Sequence, residues 1–204
     1  MPGNGKPDGK SIKLPERFQL HGVPHNPVKQ KGTDCAPDSL RMVLNYRGKD
    51  ISKDWDIPMQ LSGIRGRSGG TTLRQMQDIA ANYYGLPSFL IQNCDLKSIK
   101  ASIINKWPPI IGYRSRGSLY HAVVVVGYDD KRNNVLVNDP NYLRTRKIRY
   151  YDLGGVSGDS VQRFEALFVL PEGSTLDTFK HGLRKYVPEK TVAKLRIFTM
   201  PSEK

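Results

Sequence analysis

A chain of 204 residues with 38% hydrophobic and 25% charged residues can bury one continuous core. Its longest apolar run, Ala122 to Val126, falls far short of the roughly 18 residues of a membrane span. The 32 lysines and arginines against 19 acids give a net charge of +13, which serves solubility and equally favours an acidic substrate or another anionic partner.

In chain order, Met1 to about residue 17 is a Gly-, Pro- and Lys-rich stretch, expected as a flexible basic tail. It has no apolar segment behind its charges and so is no intact secretory signal, which leaves the compartment open between cytoplasmic and exported. Residues 18 to 31 are broken by Pro24 and Pro27 and read as an extended approach. "APDSLRMVLNYRG" then places Ala36, Leu40, Val43 and Leu44 at helical spacing, with Pro37 in the first turn and Gly48 as a stop. Cys35 therefore sits at a helix N-terminus.

The loop "GRSGG" precedes a second helix with Thr72 and Gln75 at capping-box spacing, Leu73, Met76, Ala80 and Tyr83 on its apolar stripe, and Gly85 at its end. That loop lacks the Gly-Lys-Ser/Thr ending of a phosphate-binding loop. A third helix is expected after Asp95, carrying Leu96, Ile99 and Ile103, between strands at "PSFLIQN" and "PPIIGYR". "HAVVVVGY" and "NVLVNDP" form a hairpin across the polar turn "DDKRNN", and "EALFVLP" is a further strand. Beyond residue 172, "STLDTFKHGLRKYV" reads as a capped helix and "TVAKLRIF" as a last strand. Helices followed by an antiparallel sheet indicate an α+β fold. The expected division is a tail at 1–17, a domain at 18–171 and a helix–strand extension at 172–204.

The chemistry centres on Cys35. Two cysteines make no disulfide framework in a chain this long, and there is no CxxC pair, so no metal or cofactor is expected. A helix N-terminus stabilises a thiolate, and a partner histidine does so more strongly. His121 opens the most apolar strand. A hairpin folded back around residues 130–132 brings Asp139 opposite or close to it, where a carboxylate would fix the imidazole's orientation. Asp139 also suits a turn before Pro140, and Cys35 alone suits a buried helix start. The backbone N–H of Cys35 and the side chain of Gln30 are candidate donors to an oxyanion.

Gln30, "DCAPDSLRMVLNYRG", "GGTTLRQMQDIAANYYGL", "LKSIKASIINKWPPIIGY", "HAVVVVGYDD" and "VNDP" occur in the order found in peptidase family C39-like proteins, and from about residue 29 to 171 the chain resembles that family. These papain-like cysteine peptidases are related to bacteriocin-processing domains that cleave leader peptides after a double glycine. The resemblance implies a papain-like fold with helices packed on an antiparallel sheet and a peptide or protein substrate. It also implies Cys35 as nucleophile, His121 as general base and acid, Asp139 as orienting residue and Gln30 in the oxyanion hole. Ala36 stands where the family usually has glycine. Two further readings stay open: a catalytically weak binding module for a peptide or acidic partner, and a transglutaminase-like acyl transferase. Nucleic acid is not an expected partner, because the basic residues are dispersed rather than gathered into a recognition module.

Overall fold

The structure is a computed structural model and describes residues 11–25, 34–51, 71–114, 120–153 and 163–200. Gln30, the glycine loop at 66–70 and most of the expected basic tail lie outside the described residues.

Among the described residues eight strands form one sheet: β1 (Arg17–Gln19), β2 (Ser88–Asp95), β3 (Ile110–Arg114), β4 (Tyr120–Asp129), β5 (Asn134–Asn138), β6 (Thr145–Arg149), β7 (Arg163–Val169) and β8 (Ile197–Thr199). Their order is β6-β5-β4-β3-β7-β2-β8, with every pairing antiparallel. β1 pairs with residues 127–129 of β4 and continues the row that β3 begins at residues 120–124. Among the described residues five helices accompany the sheet: α1 (Cys35–Tyr46), α2 (Leu73–Asp78), α3 (Leu96–Ile104), α4 (Leu176–Arg184) and α5 (Glu189–Val192). The fold is therefore α+β, helices packed on an antiparallel sheet, as the element order in the sequence implies.

The local causes are legible. α1 buries Ala36, Pro37, Leu40, Val43 and Leu44 and is followed, after its Arg47 cap, by Gly48, whose φ of 77° suits a residue without Cβ. Thr72 accepts from the Gln75 backbone N–H while the Gln75 side chain accepts from the Thr72 N–H, the reciprocal cap that starts α2. α2 runs on as a π-helical turn, Ile79–Tyr83, which rotates Tyr83 out of the apolar stripe to 45% exposure. Asp95 caps α3 at Ser98 N–H, and Thr175 caps α4 at Thr178 N–H. The central strand β4 is buried from Ala122 to Tyr128, so its valines face packed matter on both sides of the sheet.

Residues 172–200 share this core. Phe179 of α4 is fully buried against Phe89, Phe168 and Trp107, and β8 pairs with β2 from Phe89 to Ile91. The stretch expected as one strand, "TVAKLRIF", instead splits into the short helix α5 and the strand β8, because only Ile197–Thr199 finds an edge to pair with. β1 and β6 also go beyond the sequence-based expectation. β6, "TRKIR", buries only Ile148 and closes the sheet as a lysine- and arginine-rich edge.

Candidate active site

α1 and β4 bring the candidate side chains Cys35 and His121 together. Cys35 is the first residue of α1, whose Asp34 cap position makes no side-chain hydrogen bond. One turn on, the buried Ser39 hydroxyl donates to the Ala122 carbonyl at 3.2 Å, fixing the start of the helix against the strand beside His121. His121 and the backbone N–H groups of Ala122 and Ala36 lie close enough to the Cys35 sulfur to favour its thiolate form.

Asp139 lies one residue past β5. The ladder pairs Val124 with Asn138, and a bulge between Val125 and Gly127 shifts the hairpin, so continued pairing would set Asp139 opposite residue 123. His121 shares a strand face with that position, and the two side chains meet on the diagonal: His121 Nε2 lies 2.9 Å from Asp139 Oδ1. With Nε2 on the carboxylate, Nδ1 is the nitrogen left for the thiol. The contact expected from the fold-back is present, at a register two residues removed.

Asp139 is 1% exposed and fully engaged. Oδ1 also accepts from the Asn141 N–H at 2.9 Å, and Oδ2 accepts from Arg146 Nη1 at 2.7 Å. The Arg146 guanidinium in turn lies 4.0 Å from the centre of the Tyr142 ring. On β3, Tyr113 pairs with His121 in the ladder and sets its ring edge-on to the imidazole, centroids 5.8 Å apart.

Electrostatics follow the contacts. Burial pushes the Cys35 thiol up, but the His121 hydrogen bond, the Ala122 and Ala36 N–H groups and the imidazolium charge outweigh it, and its pKa falls below the ordinary value. Burial opposes charge on His121 as well, yet Asp139 and Cys35 together raise it to about 9. Burial acts against the Asp139 carboxylate too, and His121, the Asn141 N–H and Arg146 hold it below the usual carboxylate range. The three shifts all favour the charged forms: thiolate, imidazolium and carboxylate. Tyr113 is pushed up to about 12, first by burial and then by Asp139, and stays a neutral phenol.

A model of the Peptidase_C39 like family matches residues 12–167. The chain belongs to the Peptidase_C39 like family. Among solved structures, a Bacillus anthracis protein described as a C39-like peptidase matches with a TM-score of 0.60, covering 78% of this chain and 100% of that one. Sequence identity is 18%, so this likeness speaks for the fold. No curated protein matches at a significant level. Membership in a peptidase family implies a peptide or protein substrate.

Three of the four expected site residues of this C39-like chain, Cys35, His121 and Asp139, form one connected relay, while Gln30 lies outside the described residues. Cys94 is fully buried on β2, and burial raises its thiol well above the ordinary value. Arg146, Tyr142, Tyr113 and Ser39 join the site with no motif to announce them. The spacing Asp139 to Arg146, two ends of one short hairpin, is the signal that could have found the arginine. Among the described residues no group of His, Cys, Asp and Glu is placed to hold a metal, and no helix is long and apolar enough to cross a membrane.

Proposed function

We propose that this C39-like chain is a cysteine peptidase that hydrolyses a peptide or amide bond with Cys35 as nucleophile, His121 as proton carrier, Asp139 as its orienting carboxylate and Gln30 in the oxyanion hole. The observation that carries the reading is the relay of Cys35, His121 and Asp139 across α1, β4 and the end of β5.

The thiolate attacks the carbonyl carbon, forming the C–S bond as the carbonyl π pair moves to oxygen. The oxyanion is stabilised by the Cys35 backbone N–H at the start of α1 and by the Gln30 amide. Collapse expels the amine, which takes the proton from His121. Neutral His121 then draws a proton from water, the hydroxide attacks the thioester, and the acid leaves with the thiolate restored. Asp139 keeps the imidazole turned toward the sulfur and favours its charged form. The working range lies above the lowered pKa of Cys35 and below about 9, where His121 loses its proton.

Alkylation of the two thiols by iodoacetamide across pH, read peptide by peptide in mass spectrometry, tests the pair. Cys35 is expected to label below the ordinary thiol pKa of about 8.5, and His121→Ala to abolish that early reactivity. A Cys35 that titrates as an ordinary thiol in both proteins would remove the enzymatic reading.

A further inference from the structure

Asp139 has two oxygens and three partners. His121 and the Asn141 N–H share Oδ1, and Arg146 alone holds Oδ2. A carboxylate on a short hairpin end can rotate about its last torsion and withdraw from the histidine. Anchoring the second oxygen from another strand prevents this, and β6 supplies the anchor: Arg146 pairs with Val137 in the ladder, so its backbone is fixed relative to β5. Its guanidinium is steadied by the Tyr142 ring at 4.0 Å. An exposed ion pair would contribute little, but here the acid is 1% exposed and the arginine side chain 35% exposed, so the pair is only partly screened.

We propose that Arg146 is a positioning residue that locks the Asp139 carboxylate against His121 and, through its charge, sets the pH range in which the Cys35–His121 pair is reactive. This rests on the reading of Cys35, His121 and Asp139 given above. The charged and titratable groups gathered there are Cys35 from α1, Tyr113 from β3, Tyr142 from the β5–β6 loop and Arg146 from β6. Arg146 is the fixed cation among them. It draws negative charge of Asp139 away from the imidazole, and its own field disfavours the imidazolium. Removing its charge therefore makes His121 harder to deprotonate, and by general Coulomb attraction makes the Cys35 thiolate slightly harder to form. Both inflections of a Cys35 reactivity profile move to higher pH.

The test is the iodoacetamide profile of Cys35 in the full chain for wild type, Arg146→Gln and Arg146→Lys, with thermal melts alongside. Arg146→Gln retains a donor without charge, and the upper inflection is expected to rise by roughly half to one pH unit. Arg146→Lys restores the charge but not the planar guanidinium that stacks on Tyr142, so the inflections return to near their wild-type positions while the plateau rate stays several-fold reduced. Inflections that remain in place in a folded Arg146→Gln protein overturn the proposal, as does a lysine variant no closer to wild type than the glutamine one. Should Arg146→Gln not fold, Arg146→Lys decides alone: wild-type inflections with a reduced plateau support the lock, and an unchanged plateau overturns it. If instead wild-type Cys35 shows no early reactivity and His121→Ala changes nothing, the triad itself has failed, which the same data set shows separately.

Discussion

Replacing Asp139 by Asn removes one charge at nearly constant volume, and its effect can be worked from the geometry. The carboxylate oxygen lies 2.9 Å from His121 Nε2 in a site where the acid is 1% exposed. Two unit charges about 4 Å apart at an effective dielectric near 20 attract by about 4 kcal/mol, equivalent to about three pKa units. Arg146 already shares that charge, so a loss of about two units is the better figure, taking His121 from about 9 to about 7. At neutral pH the imidazolium then falls from nearly complete to about half, and the Cys35 pKa climbs as its cationic partner weakens. Together these changes lower the rate of Cys35 alkylation near pH 6 by about tenfold or more. The assay is pseudo-first-order labelling by iodoacetamide, with circular dichroism to confirm that the variant is folded. A folded Asp139→Asn protein labelled within twofold of wild type would refute the electrostatic reasoning.

Further predictions follow from the same contacts. Asp139 has a folded-state pKa below its unfolded value of about 3.9, so its stabilising contribution is present above that value and disappears as pH falls through the folded pKa. Urea unfolding should therefore show a stability gap between wild type and Asp139→Asn at neutral pH that narrows under acid; a gap independent of pH contradicts this. Gly182→Ala in α4 gains about 1 kcal/mol of helix propensity, but its Cβ would come within 2.3 Å of Trp107 Cη2, on a rigid buried ring packed against Phe179. Overpacking of 1–3 kcal/mol, roughly, outweighs the propensity, so the melting temperature should fall by several degrees rather than rise. Cys94, fully buried and shifted upward, should resist alkylation until the protein is unfolded by urea; labelling of the native protein at the rate of Cys35 contradicts its place in the core.

The parts of the fold that were legible in the sequence are those where local chemistry and tertiary packing agree. The Thr72–Gln75 box, Pro37 in the first turn of α1, Gly48 after it and the valines of β4 each force one local structure, and each appears as expected. What was not legible depends on partners far along the chain. Nothing in "RFQ" marks a strand until residues 127–129 of β4 offer it an edge, and Gly127 is required there because a Cβ would lie 2.7 Å from the Phe18 carbonyl oxygen. The bulge at Val126 moves the hairpin register by an amount that no turn sequence specifies, yet the diagonal keeps Asp139 within reach of His121. Arg146 is one of several cations in "LRTRKIR". Its spacing from Asp139 makes it a candidate, and the pairing of Val137 with Arg146 selects it from those cations.

Cys35 is proposed to cut peptide bonds. The most direct measurement is incubation of the full chain with a peptide library that samples all residue pairs, with new termini identified by mass spectrometry for wild type and Cys35→Ala. Cleavage at defined sites that vanishes in Cys35→Ala, leaving a folded protein, is the predicted result. Cuts that persist without the thiol, or an intact library in the presence of a Cys35 that iodoacetamide labels rapidly, would contradict it.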